Sequence, residues 1–336
     1  MLTPLDDSFT HQRVAPHALA EHVDPRWAER CYHLLVVDPE VVLCAGRQLY
    51  PYAGRRAAFL AVTDGRCQVS VRAAEPFALG DDPNLGRVGP LLLEPLVPLR
   101  TWRIVLDDPA VPVAVDLTFE SRLAPLATPP NRIERDGAVL THYMNVFQSG
   151  LYRGVVSVDG VEHRLEGRLG FRDRGWGLRR HEGSPARGLV VFVACELPDR
   201  VLHLLLYETA SGGRAYTGGA VTRSDGAVAV TGAEHDLVFR DGLLESGSLE
   251  VSLADGSRSH LDLEVTGRLY LSLVGYSREP QEPGIERTDV SDPAVVAAVS
   301  GQNDNACRFR LDGVEGHGFV ETGLGVHARY RPERLA

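Results

Sequence analysis

The chain has 336 residues, a mass of 36.6 kDa and a net charge of -10, a size that suits two domains of about 150 residues or one large β domain. The acidic balance argues against a nucleic-acid partner or an anionic membrane surface. All 35 basic residues are arginine, and a chain without lysine forms no pyridoxal Schiff base and supplies no P-loop lysine.

We predict that the start of the chain is not a signal peptide. Its first twelve residues, MLTPLDDSFTHQ, include acidic side chains and lack the apolar core of a signal peptide. No stretch approaches the ~18 uninterrupted apolar residues that a membrane-spanning helix needs. We therefore expect a cytoplasmic protein without a membrane span. Helical periodicity is limited to a turn or two at residues 16–30 and at Pro293–Val299.

Two-residue alternation and turn signals dominate the rest of the sequence. Apolar side chains recur at every second position from residue 111 to 119 and on both sides of residues 255–256. Asp-Gly dipeptides begin at residues 64, 136, 159, 225, 241, 255 and 312. Asp-Gly is a strong hairpin signal because both central residues of a type I′ turn need a positive φ. We predict an antiparallel all-β protein with few short helices.

Two nearly continuous apolar runs, residues 189–195 and 201–206, depart from simple alternation. Such runs predict strands that are covered on both faces, as in a packed sandwich or a closed barrel. A Gly- and Arg-rich stretch at residues 172–187 divides the chain almost evenly, and both halves show a similar series of hairpins. We predict two related β domains, residues 1–172 and 173–336.

The sequence gives no sign of a bound cofactor or metal. The five cysteines are scattered and form no C-x-x-C pair, so we interpret them as buried free thiols. Neither Gly175-Trp176-Gly177 nor Gly323-Leu324-Gly325 lies between a strand and a helix, as a dinucleotide site requires, and no metalloprotease or P-loop motif is present. We predict that the protein uses no cofactor and holds no metal.

Two motifs carry a resemblance that runs along almost the whole chain: P-x-D-D-x-x-x-H-Q at residues 4–12 and R-D-R-G-W-G at residues 172–177. Together they resemble a family of paired domains of unknown function, whose members usually read R-D-R-S-W-G at mid-chain. The second motif is also similar to the D-H-x-W-G element of carotenoid 1,2-hydratase and kievitone hydratase. Arg174 replaces the histidine of those hydratases, and Gly175 stands where the nearer family has serine.

The resemblance implies two antiparallel lipocalin-like β-barrel or sandwich domains packed side by side, in a superfamily that also contains pericyclase-type enzymes. It implies a cofactor-independent enzyme that acts on a terpenoid, polyene, steroid-like or polyketide molecule. The reaction would be an acid/base hydration, dehydration, isomerisation or cyclisation. The alternative is a non-catalytic carrier of such a ligand, and a homodimer is compatible with either function. An enzyme should place a carboxyl group or histidine with a perturbed pKa beside the ligand.

Asp173 is the first candidate for a catalytic residue because it belongs to the motif shared with the hydratases. It would protonate an alkene or orient a substrate hydroxyl, with Trp176 stabilising cationic character and Arg172 contacting the substrate. The alternative is structural. Asp173 would then be an ion-pair partner of neighbouring arginines such as Arg172 and Arg174, and Trp176 would anchor the junction between the domains.

Strand alternation nominates further candidates. His203 and Tyr207 share one strand face, and so do His317 and Glu321, which makes these four side chains candidates for a base or for substrate contact. The alternatives are a buried core histidine and a solvated polar face. Tyr143 and Gln148 could orient a substrate oxygen, or they could be structural. The catalytic candidates are Asp173, His203, His317 and Glu321, and the substrate-binding candidates are Trp176, Tyr143, Gln148, Tyr207 and Arg172.

Overall fold

The computed structural model describes residues 2–11, 24–38, 41–78, 80–135, 137–179, 188–274 and 282–331. All strand pairs within these ranges are antiparallel, and they form one curled half-barrel sheet and one closed barrel. This confirms the predicted all-β fold. In the same ranges, no helix is long and apolar enough to cross a bilayer.

The first sheet has thirteen strands. In chain order they are β1 (Trp27–Asp38), β2 (Val41–Tyr50), β3 (Arg55–Thr63), β4 (Cys67–Pro76), β5 (Arg87–Val88), β6 (Leu91–Val97), β7 (Thr101–Leu106), β8 (Val113–Ser121), β9 (Leu126–Ala127), β10 (Asn131–Arg135), β11 (Ala138–Val158), β12 (Val161–Arg179) and β19 (Gly284–Asp289). The main path runs β19-β4-β3-β2-β1-β12-β11-β8-β7-β6-β5, while β9 and β10 both pair with β11.

The closed barrel has eight strands in the order of the chain. They are β13 (Leu189–Glu196), β14 (Arg200–Glu208), β15 (Arg214–Arg223), β16 (Gly226–Arg240), β17 (Leu243–Leu253), β18 (Arg258–Tyr270), β20 (Gln302–Leu311) and β21 (Val314–Leu324). Three-residue 3-10 turns lie at Pro51–Ala53 and Leu271–Leu273, and a four-residue one at Pro4–Asp7.

Local sequence signals explain these connections. Six Asp-Gly dipeptides are fully described, and each lies where one strand turns into the next. At residues 159–160, 241–242 and 312–313 both φ angles are positive, as a type I′ turn requires. The second predicted helical turn is α1 (Pro293–Val299), whose first turn is capped by Asp292 through a 2.8 Å hydrogen bond from the Ala294 amide. Of the first, residues 16–23 lie outside the described residues, and the chain from Trp27 onwards belongs to β1.

Apolar side chains form three layers. One core fills the curled sheet, a second fills the barrel, and a third lies between the outer faces of the two units. Strands β13 and β14 contribute to both the second and the third layers, because their alternate residues point into the barrel and towards the sheet. This double burial explains the two continuous apolar runs. The five cysteines are free, and all but Cys67 are buried.

The chain crosses between the two units more than once. Strand β12 continues in one sheet through the predicted boundary at residue 172, and the barrel begins at Leu189. After β18, the chain returns to pair β19 with β4 at the edge of the first sheet. The division into residues 1–172 and 173–336 remains a prediction.

Candidate active site

A cleft opens between the outer face of the curled sheet and the outer face of the barrel. Its two walls come from β1, β11 and β12 on one side and from β13, β14, β20 and β21 on the other. The lining residues are Tyr32, Leu34, Asn145, Phe147, Phe171, Asp173, Val190, Phe192, Leu205, Tyr207, Asp304 and Glu321. The interior of the barrel is filled by packed apolar side chains, so the polar site lies outside it.

Three carboxyl groups converge in this cleft. Asp304 and Glu321 are direct cross-strand partners on β20 and β21, a position in which Cβ atoms are about 4.5–5.5 Å apart. Asp173 faces them from β12, where its own cross-strand partner is Tyr32 of β1. The Tyr32 hydroxyl donates a short hydrogen bond to Asp304 Oδ2 and thereby joins the two walls. Gln302 Nε2 donates to Glu321 Oε1 at 2.5 Å.

Asp304 is the carboxyl group best placed to keep a proton. It is 1% exposed, and burial raises its pKa well above the ordinary value for aspartic acid. The neighbouring charges of Glu321 and Asp173 raise this pKa further, while the hydrogen bond from Tyr32 opposes the shift. A protonated carboxyl group can act as a general acid, and a carboxylate beside it can act as a general base.

Aromatic rings form the rest of the inner wall. Phe147, Phe171 and Phe192 pack on one another with ring centroids 4.7–5.9 Å apart. Their faces can stabilise a developing cation. The space between the lining atoms, including the open mouth, is about 470 Å³, but only about 30 Å³ is accessible to the centre of a water molecule. A ligand larger than a few waters must therefore displace side chains as it enters.

Arg172 and Gln148 lie on the opposite face of the sheet from Asp173. The Arg172 guanidinium is fully buried and donates short hydrogen bonds to Asp7 Oδ1 and to Gln148 Oε1. Asp7 also accepts a 2.9 Å hydrogen bond from the Trp102 indole, and Arg172 stacks over that ring at 4.4 Å. This network ties the first sequence motif to the second. Neither predicted substrate contact reaches the cleft.

A second link between the two motifs surrounds Trp176. The His11 ring stacks on the Trp176 ring with centroids 3.9 Å apart, and His11 Nδ1 lies 3.0 Å from Glu29. Glu29 also accepts a 2.5 Å hydrogen bond from buried Arg174. Although burial favours the neutral acid, His11 and Arg174 hold the pKa of Glu29 below its ordinary value. Arg172 and Arg174 thus pair with Asp7 and Glu29. Gln12 lies outside the described residues.

The glycine at residue 175, where the nearer family usually has serine, has a steric explanation. Gly175 shares the strand face of Asp173, and the buried Tyr143 ring lies directly over it. A Cβ atom at residue 175 would lie 2.5 Å from ring atom Cε1 of Tyr143 and 2.7 Å from its hydroxyl oxygen, closer than packed atoms allow. Tyr143 therefore occupies the space that a serine side chain would need, next to the cleft but not in its lining.

Of the remaining candidates, two line the cleft and two lie outside its lining. Tyr207 and Glu321 line the cleft with Asp173. His203 lies behind the three phenylalanine rings and is 1% exposed. Burial and the charge of Arg122 lower the pKa of His203 to about 3, so this ring is neutral. His317 is exposed, two same-face positions along β21 from Glu321 and outside the lining.

Sequence reasoning missed Asp304, Tyr32 and Asn145. Asp304 stands in the run Asn303–Asp304–Asn305 on β20, where all three polar side chains are buried. Because Asn and Asp side chains are mostly exposed in proteins, this run gave no sequence signal of a buried site. Among the described residues, no three His, Cys, Asp or Glu side chains are arranged to hold a metal ion.

A separate hydrogen-bonded cluster of Arg122, Ser149 and Glu196 joins the two units beside the cleft. Arg122 Nη2 donates a 2.8 Å hydrogen bond to Glu196 Oε2, which also accepts a short one from the Ser149 hydroxyl. Arg122 further donates to the carbonyl oxygens of Leu197 and Pro198, each at 2.9 Å. Burial raises the pKa of Glu196 to about 7, against the lowering effects of Ser149 and Arg122.

This hydrogen-bonded cluster predicts a pH dependence of stability. Because the folded pKa of Glu196 exceeds the ordinary value of 4.5, the folded state binds the extra proton, and stability falls as pH rises from about 4.5 to about 7. The loss amounts to at most about 3 kcal/mol. Glu196→Gln should flatten this slope in urea unfolding between pH 5 and 8, whereas exposed Glu315→Gln should not. Parallel slopes for the wild type and Glu196→Gln would contradict the assignment.

The profile of a family of unknown function, DUF8625, matches residues 2–287. No curated protein matches the sequence.

Several solved structures share the fold at low sequence identity. An AttH candidate from Nitrosomonas europaea aligns with a TM-score of 0.59 and 13% identity, covering 94% of this chain and 100% of the other. Kievitone hydratase from Nectria haematococca aligns with a TM-score of 0.57 and 10% identity, covering 95% and 96%. CghA aligns with a TM-score of 0.51 and 13% identity over the same shares. These likenesses confirm the lipocalin-like double β fold.

Proposed function

The chain belongs to the family of unknown function DUF8625, so its activity must be inferred from its own site, and we propose that it is a cofactor-independent acid/base enzyme. Its substrate would be an apolar small molecule bound in the cleft between the two β units. The observation that carries the proposal is the convergence of Asp173, Asp304 and Glu321 beside three aromatic rings. The hydratase named among the similar folds supports the same reaction class.

The geometry suits protonation of a carbon–carbon double bond. Asp304 gives its proton to one alkene carbon, which leaves a carboxylate on the enzyme and a cation on the neighbouring carbon. The aromatic wall stabilises that cation through its π faces. A water molecule adds to the cation and loses its proton to Glu321 or Asp173, which gives an alcohol. Loss of a different carbon-bound proton gives an isomer, attack by a second double bond gives a ring, and the reverse of hydration is dehydration.

Isotope uptake tests this proposal. Small molecules that co-purify with the protein are identified by mass spectrometry, and each is incubated with the enzyme in D2O beside a panel of alkenes, enones and alcohols. We expect deuterium on a carbon atom of at least one compound. The Asp173→Asn/Asp304→Asn double variant should lose this uptake, whereas Asp262→Asn, which removes an exposed carboxylate outside the cleft, should keep it.

Two results would contradict the proposal. A retained apolar compound that gains no deuterium, with no uptake by any panel member, would favour a carrier. Equal uptake by the wild type and the double variant would place the chemistry elsewhere in the molecule.

A further inference from the structure

His203 is a buried polar side chain whose hydrogen-bonding capacity is unused. Its ring is 1% exposed, and neither Nδ1 nor Nε2 has a hydrogen-bond partner among the residues that the structure describes. Buried polar groups are normally paired, and leaving one unpaired lowers stability. Since the low pKa keeps this imidazole neutral, it offers one N–H donor and one nitrogen acceptor.

The unused nitrogens lie behind the aromatic inner wall of the cleft, outside its lining. His203 shares a face of β14 with Leu205, which lines the cleft. Its ring lies 5.5 Å from Phe147, 5.6 Å from Phe171 and 6.3 Å from Phe192, measured between centroids. These three rings separate the imidazole from the space beside the carboxyl groups. A ligand that displaces them would reach His203.

Strand register gives the distance between His203 and Glu321, one of the three carboxyl groups. His203 is opposite Ala194 of β13, which is opposite Phe319 of β21. Glu321 is one same-face step beyond Phe319. Two strand spacings and one such step place the Cα atoms of His203 and Glu321 ~12 Å apart. A ligand that touches both must therefore extend over several bonds.

We propose that His203 binds a hydroxyl or carbonyl oxygen of the substrate, several bonds away from the carbon that is protonated. This rests on the function proposed above, and it narrows the substrate to an oxygenated apolar molecule, excluding a pure hydrocarbon. His203 is then a binding and positioning residue. It does not serve as the base, because a neutral imidazole with so low a pKa is a poor proton acceptor.

Phenol and toluene test the proposal, since they differ mainly by one hydroxyl group. By isothermal titration calorimetry, the wild type should bind phenol about two- to tenfold more tightly than toluene, the effect of one hydrogen bond. His203→Leu should lose this preference while still binding toluene. In nitrogen-15 spectra, phenol but not toluene should shift the imidazole signals that disappear in His203→Leu.

His33 supplies the matched control. It is also fully buried, but its Nδ1 lies 2.9 Å from the Tyr152 hydroxyl. We expect His33→Leu to lower the melting temperature because it breaks a formed hydrogen bond, whereas His203→Leu should leave it unchanged or raise it. An equal fall in both variants would assign His203 a structural role and overturn the proposal.

Further outcomes separate this inference from the proposed function. Three results would overturn the role of His203. The first is equal affinity of the wild type for phenol and toluene, and the second is a preference for phenol that His203→Leu keeps. The third is an imidazole that is already hydrogen-bonded to water and whose nitrogen-15 signals do not move when phenol is added. These results would stand even if deuterium uptake occurred. Conversely, a preference for phenol without deuterium uptake by any compound would support the binding role of His203 and overturn the acid/base function proposed for the protein.

Discussion

Asp304→Asn should reduce turnover by about 10²–10⁴-fold, the usual contribution of a general acid. Asparagine preserves the shape of the side chain and can still accept the hydrogen bond from Tyr32, so the fold and ligand affinity should be retained. The measurement is the rate of deuterium uptake by the compound identified in D2O, together with the melting temperature. Asp262→Asn, at an exposed position on β18, is the control. A variant that keeps most of its turnover would remove Asp304 from the mechanism.

The same acid predicts an alkaline limit to activity. Asp304 must be protonated to act, and burial raises its pKa well above the ordinary value for aspartic acid, so the rate should fall as pH rises through that pKa. The hydrogen bond from Tyr32 lowers this pKa. Tyr32→Phe should therefore move the alkaline limb to higher pH. A shift to lower pH would contradict the assignment of the limb to Asp304.

Asp7→Ala should lower the free energy of unfolding by about 3–5 kcal/mol, because it leaves the Arg172 guanidinium charged and buried without its carboxylate. Asp7→Leu combined with Arg172→Met should recover most of this loss, since two apolar groups need no partner. Urea unfolding measures both changes. Arg164→Met, which removes an exposed arginine from the same strand, should change stability by less than about 1 kcal/mol.

An unchanged stability of the Asp7→Ala variant would contradict the structural role of this ion pair. If Asp7→Ala unfolds at the same urea concentration as the wild type, the buried ion pair does not hold the N-terminal segment in place. The shared motifs would then need an explanation other than stability.

Short-range signals were sufficient to predict the antiparallel all-β class, whereas the lipocalin-like architecture was implied by the family resemblance. Alternation and Asp-Gly turns gave the antiparallel strands, and the runs at residues 189–195 and 201–206 predicted strands covered on both faces. The turn dipeptides act locally, because each sets the register of the two strands beside it. The curled sheet could not be distinguished from a second closed barrel, because closure depends on pairing between distant strands such as β4 and β19.

The site was harder to predict because its members come from distant parts of the chain. Tyr32 and Asp304 are 272 residues apart in sequence, and no local pattern joins them. Arg172 illustrates a different difficulty. Its closeness to Asp173 suggests an ion pair, yet neighbours on a strand point to opposite faces, so Arg172 faces Asp7 and Asp173 faces the cleft. Alternation, applied to the motif itself, would have separated them.

The return of β19 to the first sheet has a consequence for synthesis on the ribosome. The free edge of β4 ends at Pro76, and the strand that covers it begins roughly 200 residues later, at Gly284. At ~5–20 residues per second, that edge stays open for ~10–40 s in each new chain. An open edge can pair with another copy. A chain that stops before Gly284 would keep the edge permanently, and aggregation during expression would increase with the rate of translation initiation.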